Sequence, residues 1–294
     1  MQFASPHLFL IIYFSFRSGV RTTKLASLSF SPRYVLFQLL AYLRFWLRSG
    51  NAHGLHSPFI FGLYTSVVRH TGIFGAYAPV EARRQQLLNS SASISVIDFG
   101  AGSHTGAGWQ RRIADITRTA AKPPHLAQLL FRLVNYFRPA TVLELGTSLG
   151  LTTAYLAAAD SRHRVITFEG CPNVAAVARE TFAVLNLSNV ATVEGNIDHT
   201  LAPALAALTA PLDFAFFDGN HRYAPTLHYF ELCLAHRTDE SVFVFDDIHW
   251  SADMERAWEV IKAHPDVMLT VDLFYVGLVF FRKNQPKQHF SLRM

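Results

Sequence analysis

Acidic side chains are missing from the first quarter of this chain. No Asp or Glu precedes Glu81, whereas Arg17, Arg21, Lys24, Arg33, Arg44, Arg48 and Arg69 all do. The remainder holds 19 of the 26 basic and all 21 acidic residues, so the formal charge of +5 belongs to the N-terminal quarter alone. That segregation points to an anionic surface or substrate met by the N-terminus. Without any Lys/Arg-rich run, a nucleic-acid partner is disfavoured. Cysteine is scarce as well. Cys171 and Cys233 form no C-x-x-C, which excludes a disulfide framework, a zinc ribbon and a thioredoxin-type site and makes a reducing, cytoplasmic compartment the default. Only 16% of residues are charged and 50% are hydrophobic, which excludes a mainly disordered chain.

No apolar run approaches the ~20 residues a spanning helix needs. Leu8 to Phe16 is too short, and Arg17 and Arg21 follow it rather than precede it, the reverse of a secretory signal. Residues 1–30 are expected to be poorly ordered or to lie upstream of the true start. Residues 34–48 (YVLFQLLAYLRFWLR) read as a helix whose broad apolar face is interrupted by Gln38, Arg44 and Arg48. Such a helix packs on its own domain or rests its basic, aromatic-rich face on a membrane surface. Residues 31–122 as a whole read as an N-terminal helical cap over the acceptor side. Within it Asn51 to Phe59 (NAHGLHSPF) is dense in groups that bind an acceptor or cap a helix.

Lys122-Pro123-Pro124 breaks the pattern. Beyond it, over 123–294, amphipathic helices alternate with short β-branched and aromatic strands: TVLEL, VITFE, ATVEG, LDFAFFD, SVFVFDD, MLTVD and YVGLVFFR. That alternation predicts an α/β, Rossmann-like, doubly wound sheet of seven strands. The last two strands are too close for a crossover helix, so they must pair antiparallel. Ligands of such sheets bind beyond the carboxyl ends of the strands, where strand order reverses.

The residues after the strands fit a nucleoside ligand. The first strand runs into Glu144-Leu-Gly146-Thr147-Ser148-Leu-Gly150, where glycines allow a sharp turn and close approach and the following helix start favours negative charge. The dinucleotide fingerprint G-x-G-x-x-G is not met. The second strand ends in Glu169-Gly170, placing an acid where it can bind two ribose hydroxyls. The third ends in Glu194-Gly195-Asn196-Ile197, placing a polar side chain near an adenine edge. A second glycine-rich segment, Ile97-Asp98-Phe-Gly100-Ala-Gly102-Ser103, is followed by an Arg-rich helix over 110–119 rather than by a second acidic strand end, so it reads as a structural turn or a substrate-side loop.

With this loop, Glu169 and the Gly195-Asn196 step in order, residues 123–283 resemble the class I S-adenosylmethionine-dependent methyltransferases. His125-Leu-Ala-Gln-Leu-Leu before the first strand is similar to the small-molecule O-methyltransferases of the catechol and caffeoyl-CoA type. The HGLHSPF and FFDGNHRY segments also resemble bacterial proteins assigned to this class. The resemblance implies S-adenosylmethionine as cofactor, held by Glu144, Gly146, Thr147, Ser148, Gly150, Glu169, Gly170, Asn196, Ile197 and Asp218. It also implies a seven-stranded sheet whose final strand is antiparallel.

Asp218 ends the fourth strand, and Asp246 and Asp247 end the fifth. Adjacent strand ends bring these acids together, and converging acids call for a cation, which makes Mg2+ or Mn2+ plausible. In the metal-dependent O-methyltransferases acids and an amide hold a divalent ion at these strand ends, and Asp247 stands where the amide is usual. Both segments read Asp-x-x-His, leaving open a mixed His/carboxylate metal site. The plainer alternative has Asp218 contact the cofactor while Asp246 and Asp247 cap the next helix. Three residues past Asp218, His221 stands where the resembled enzymes carry a lysine base. It is the expected catalytic base beside Asp218, with His249 as second candidate. The Asn/Asp-Pro-Pro-Tyr mark of methylation at base amino groups is absent, which favours a hydroxyl on a small-molecule acceptor, anionic if the basic cap closes over it. A homodimer is also expected. Competing readings are an RNA or protein methyltransferase on the same fold, a metal-using enzyme of another kind, and a membrane-surface protein.

Overall fold

The computed structural model describes residues 32–51, 55–97, 109–283 and 285–294. The first 31 residues, most of the second glycine-rich segment (98–103) and residues 52–54 of the NAHGLHSPF stretch lie outside that set. Ten α-helices are described: α1 Pro32–Arg48, α2 Pro58–Leu63, α3 Tyr77–Leu88, α4 Ile113–Ala120, α5 Pro124–Phe137, α6 Leu151–Ala158, α7 Pro172–Val184, α8 Ile197–Ala206, α9 Tyr223–Leu234 and α10 Ala252–Ala263. The strands are β1 Ser93–Val96, β2 Trp109–Arg112, β3 Thr141–Leu145, β4 Arg164–Glu169, β5 Val190–Glu194, β6 Leu212–Phe217, β7 Arg237–Asp246, β8 Leu269–Asp272, β9 Val276–Phe280 and β10 Gln288–Ser291.

The main sheet has the order β10-β8-β9-β7-β6-β3-β4-β5. β9 is antiparallel to both neighbours, β7 and β8, as the short connection between the last two predicted strands requires. The sheet has eight strands rather than seven, because Gln288–Ser291 adds a parallel edge strand beside β8. Its short, polar sequence carries no strand pattern, and it is held by its neighbour's backbone.

Alternation of side chains across the pleat divides the core into two layers. Val142, Phe214, Phe216, Val242 and Val244 point to one face, against Leu129, Leu130, Leu133 and Val134 of α5 and Ile60 and Leu63 of α2. Leu143, Leu145, Ala215, Phe217, Phe243 and Phe245 point to the other, against α8, α9 and α10. Both faces being covered, β6 and β7 read as near-continuous apolar runs.

The N-terminal extension is less helical than expected. β1 and β2 pair antiparallel, and the stretch read as one helix over 110–119 divides into the end of β2 and α4. This hairpin is tied to the start of α7, where Asn173 Nδ2 donates to the Ser95 carbonyl at 2.8 Å. α1 lies across the β7–α10 loop. Gln38 Nε2 donates to the carbonyls of His249 (2.9 Å) and Trp250 (2.6 Å), and Ala41 and Phe45 pack on Phe274. Leu36, Leu39, Leu40, Leu43 and Leu47 point outward on the opposite side. No helix among the described residues is long and apolar enough to cross a membrane.

Gly277 lies opposite Phe245 in the β7–β9 pair, directly beneath the buried Trp258 of α10. A Cβ at Gly277 would stand 2.6–2.9 Å from three atoms of the indole, which has no room to retreat. Gly277→Ala is therefore expected to lower stability by about 1–3 kcal/mol, the usual cost of overpacking, measured as a reduced urea midpoint at unchanged m-value.

Candidate active site

Strand order reverses beside β3, which has β4 on one side and β6 on the other. The loops leaving these strands diverge there and open a cleft. The glycine turn forms its floor. Gly146 (φ 106°), Ser148 (φ 49°) and Gly150 (φ 80°) are all left-handed. A Cβ on Gly146 would stand 2.6 Å from the Asp218 carbonyl oxygen, so only glycine lets the β3 and β6 ends pass so closely. Thr147, Ser148, Leu149, Leu151 and Thr152 line the cleft at the start of α6, with Asp218 opposite and Thr117, Ala120 and Ala121 from the α4 end. Together these residues line a small cleft open to solvent. The sequence reading of the extension as a cap did not single out these residues at the α4 end, which carry no ligand-binding motif.

A hydroxyl network fastens the turn from below. Thr147 Oγ1 and Thr167 Oγ1 are 2.6 Å apart, Thr167 donates to Glu144 Oε2 at 2.7 Å, and Thr153 donates to the same oxygen. Glu144, expected among the cofactor residues, is fully buried and supports the turn rather than facing the cleft. Its Oε1 has no partner among the described residues. Burial pushes its carboxyl up to about 8, against the opposing hydrogen bonds from Thr153 and Thr167.

At the end of β4, Glu169 accepts from the backbone N–H of Ser148 through Oε2 and of Cys171 through Oε1, both at 2.9 Å. These bonds fix the carboxylate between the glycine turn and the start of α7, with Gly170 as the link. Asn196 Oδ1 accepts from the Asp198 N–H at 3.0 Å, capping α8. The Ile197 side chain reaches over Gly219, so the loops after β5 and β6 touch. The structure thus gathers Gly146, Thr147, Ser148, Glu169, Asn196, Ile197 and Asp218 around the strand ends. This donor and acceptor set suits a nucleoside with a charged tail.

The acids after β6 and β7 are arranged differently from the sequence expectation. Asp218 and Asp246 converge, and between them lies Lys122, its Nζ 2.9 Å from Asp218 Oδ1 and hydrogen-bonded to Asp246 Oδ2. The Lys122 side chain is 11% exposed and that of Asp246 1%. Burial opposes the ammonium charge, but the surrounding carboxylates, Asp218 foremost, outweigh it and hold Lys122 protonated. Burial likewise opposes ionisation of Asp218, yet Lys122 and then His221 keep its carboxyl below the usual range. Asp246 is pushed upward by its deeper burial and by Asp247. Asp247 offers no oxygen to the close group of Asp218, His221 and Asp246, although its charge reaches Lys122 and Asp246. Its backbone is left-handed (φ 54°), its N–H donates to the Tyr275 carbonyl at 2.7 Å, and its charge is felt by the phenols of Tyr34 and Tyr275.

One ligand atom each from Asp218, His221 and Asp246 can be grouped within 4.8 Å, a spacing that by itself suits an ion. The ammonium already bridges the two carboxylates, so the residues present do not fit Mg2+ or Mn2+ at this position. Lys122 was read in the sequence as punctuation before two prolines.

His221 places Nε2 3.5 Å from Asp218 Oδ1 with its ring partly exposed. His249 is not available as a base at the cleft. Its two nitrogens lie 3.0 Å from Glu255 Oε1 and 2.9 Å from Asp272 Oδ2, and these partners raise its pKa to about 9 against the larger opposing effect of burial. The described part of the NAHGLHSPF stretch is remote from the cleft. Ser57 caps α2, and Phe59 packs edge-on against Phe280, which pairs with Val242 well upstream of Asp246 on β7.

Residues 143–248 match the sequence profile of a methyltransferase domain. No curated protein matches the chain by sequence. Among solved structures, the SAH-bound methyltransferase PaMTH1 of Podospora anserina is similar at 14% identity and TM-score 0.53, over 88% of this chain and 99% of that one. The Bacillus cereus O-methyltransferase in complex with SAH is similar at 20% identity and TM-score 0.50, over 74% of this chain and 94% of that one. Residues 143–248 are thus similar to a methyltransferase domain, and the fold is one shared with these solved methyltransferases.

Glu144 binds its proton more tightly folded than unfolded, so its effect on stability is absent below its unfolded pKa, near 4.5. From there folding is progressively penalised as pH rises toward about 8. Glu144→Gln should remove that slope. Urea unfolding between pH 5 and 8 is expected to show wild-type stability declining relative to the variant by up to about 1.4 kcal/mol per pH unit.

Proposed function

We propose that the protein transfers the methyl group of S-adenosylmethionine to a hydroxyl oxygen of a small acceptor, with His221 as the base. The observation that carries this reading is the convergence, at the switch point of the sheet, of the left-handed glycine turn, the backbone-oriented Glu169 and the Asp218–His221 pair.

Glu169 would take the ribose hydroxyls, with Asn196 and Ile197 flanking the adenine and the glycine turn and the α6 start beside the amino-acid tail. When bound, S-adenosylmethionine supplies an electrophilic methyl on a sulfonium. The chain's own task is alignment and removal of one proton. His221, with Nε2–H turned toward Asp218, presents Nδ1 as the acceptor for the proton of the acceptor's hydroxyl. The imidazolium that results is stabilised by the Asp218 carboxylate. Leu149, Leu151, Ala120 and Ala121 give the cleft apolar walls that limit water. On the far side of the cluster, Tyr34 and Trp250 meet edge to ring with centroids 5.2 Å apart, offering an aromatic wall for an acceptor.

Incubation with S-adenosylmethionine and a panel of phenols, catechols and aliphatic alcohols is expected to yield S-adenosylhomocysteine and an O-methyl product identified by NMR. His221→Ala should lower kcat by about 10²–10⁴-fold without loss of cofactor affinity. An N-methyl or S-methyl product would contradict the oxygen assignment, and full turnover in His221→Ala would remove the base.

A further inference from the structure

We propose that Lys122 is a built-in cation that takes the place of a divalent metal between the ends of β6 and β7, so that this site binds no divalent ion. Its Nζ lies 2.9 Å from Asp218 Oδ1 and also bonds Asp246 Oδ2. An ion bridging those same oxygens would need them at about 2.0–2.2 Å and would occupy the same volume, so ammonium and ion exclude one another.

The chain delivers this ammonium from a stiff tether. Lys122 lies in the short link between α4 and α5. Ala121 before it is extended (φ −76°, ψ 132°), as is Pro123 after it (φ −61°, ψ 151°). A residue preceding proline is itself confined to extended conformations. Pro124 opens α5, where its missing N–H leaves no donor unsatisfied. The link has few alternative backbone conformations, so the Cα of Lys122 is held in place above the two carboxylates.

The remaining ligands are also unsuited to an ion. Asp247 is not among the residues whose ligand atoms lie within 4.8 Å of one another, and His221 is paired with the same Asp218 oxygen that faces Lys122. Removing Lys122 would leave two buried carboxylates facing a vacated volume, which is an oxygen-rich site for a hard cation. The inference concerns the cluster itself and is read without turnover, so it stands or falls separately from the methyl-transfer assignment.

Mn2+ titration followed by electron paramagnetic resonance of the free ion tests it on four proteins: wild type, Asp246→Asn, Lys122→Ala and Lys122→Ala/Asp246→Asn. Wild type is expected to leave Mn2+ free. Lys122→Ala should take up one ion per chain with affinity raised about tenfold or more, and the added Asp246→Asn should abolish that uptake. One equivalent bound by wild type and lost in Asp246→Asn would overturn the proposal, as would a folded Lys122→Ala that binds none. Should Lys122→Ala fail to fold by circular dichroism, Lys122→Asn, which offers a neutral oxygen in the same place, carries the same two expectations.

Discussion

Asp218 and Asp246 meet at the ends of two neighbouring central strands, Asp246 almost wholly cut off from water and Asp218 at the edge of the cleft. Two carboxylates so placed repel each other strongly unless a cation lies between them, and the Lys122 ammonium supplies it. Much of the site geometry follows from that contact. It draws the α4–α5 link down onto the sheet, which brings Thr117, Ala120 and Ala121 to the cleft wall. It fixes Asp218 against the β3 end, where the Asp218 N–H also donates to the Leu145 carbonyl at 2.9 Å. Gly146 and His221 are then held by that same strand end. The extension read in the sequence as a helical cap is thus also part of the electrostatics of the core domain.

Much of the architecture was legible because parallel strands buried on both faces leave an unmistakable apolar signature. LDFAFF and SVFVFD could be little else, and the short MLTVD–YVGLVFF connection dictated the antiparallel pair. The turn after β3 could be located because left-handed backbone selects glycine. β10 escaped notice because an edge strand of four residues is specified by pairing with β8, not by its own pattern. β1 and β2 were hidden for a similar reason, each being short and amphipathic only in the company of α7.

The turn after β3 was legible because backbone geometry dictates its residues, and the Lys122 contact was not, because charge compensation dictates it. Acidic strand ends were visible, and an acid cluster with no visible cation suggested a metal. Compensation by a lysine distant in sequence leaves no local mark beyond the two prolines that follow it. Asp247 was counted with Asp246 because neighbours in sequence were assumed to share an environment, but its backbone is left-handed at the strand end and its oxygens stay out of the close group of Asp218, His221 and Asp246. Glu144 was read as a ligand from its place in the loop, whereas its partners Thr153 and Thr167 come from the adjoining helix and strand and hold it beneath the turn.

The claim on which the rest turns is that the cleft at the β3/β6 switch point is a nucleoside site that needs no metal to assemble. Isothermal titration of the wild-type protein with S-adenosylhomocysteine in the presence of EDTA tests it most directly. The account predicts saturable binding of one molecule per chain, lost in Glu169→Ala. A folded protein that releases no heat in EDTA, or that binds only once Mg2+ is restored, would contradict it.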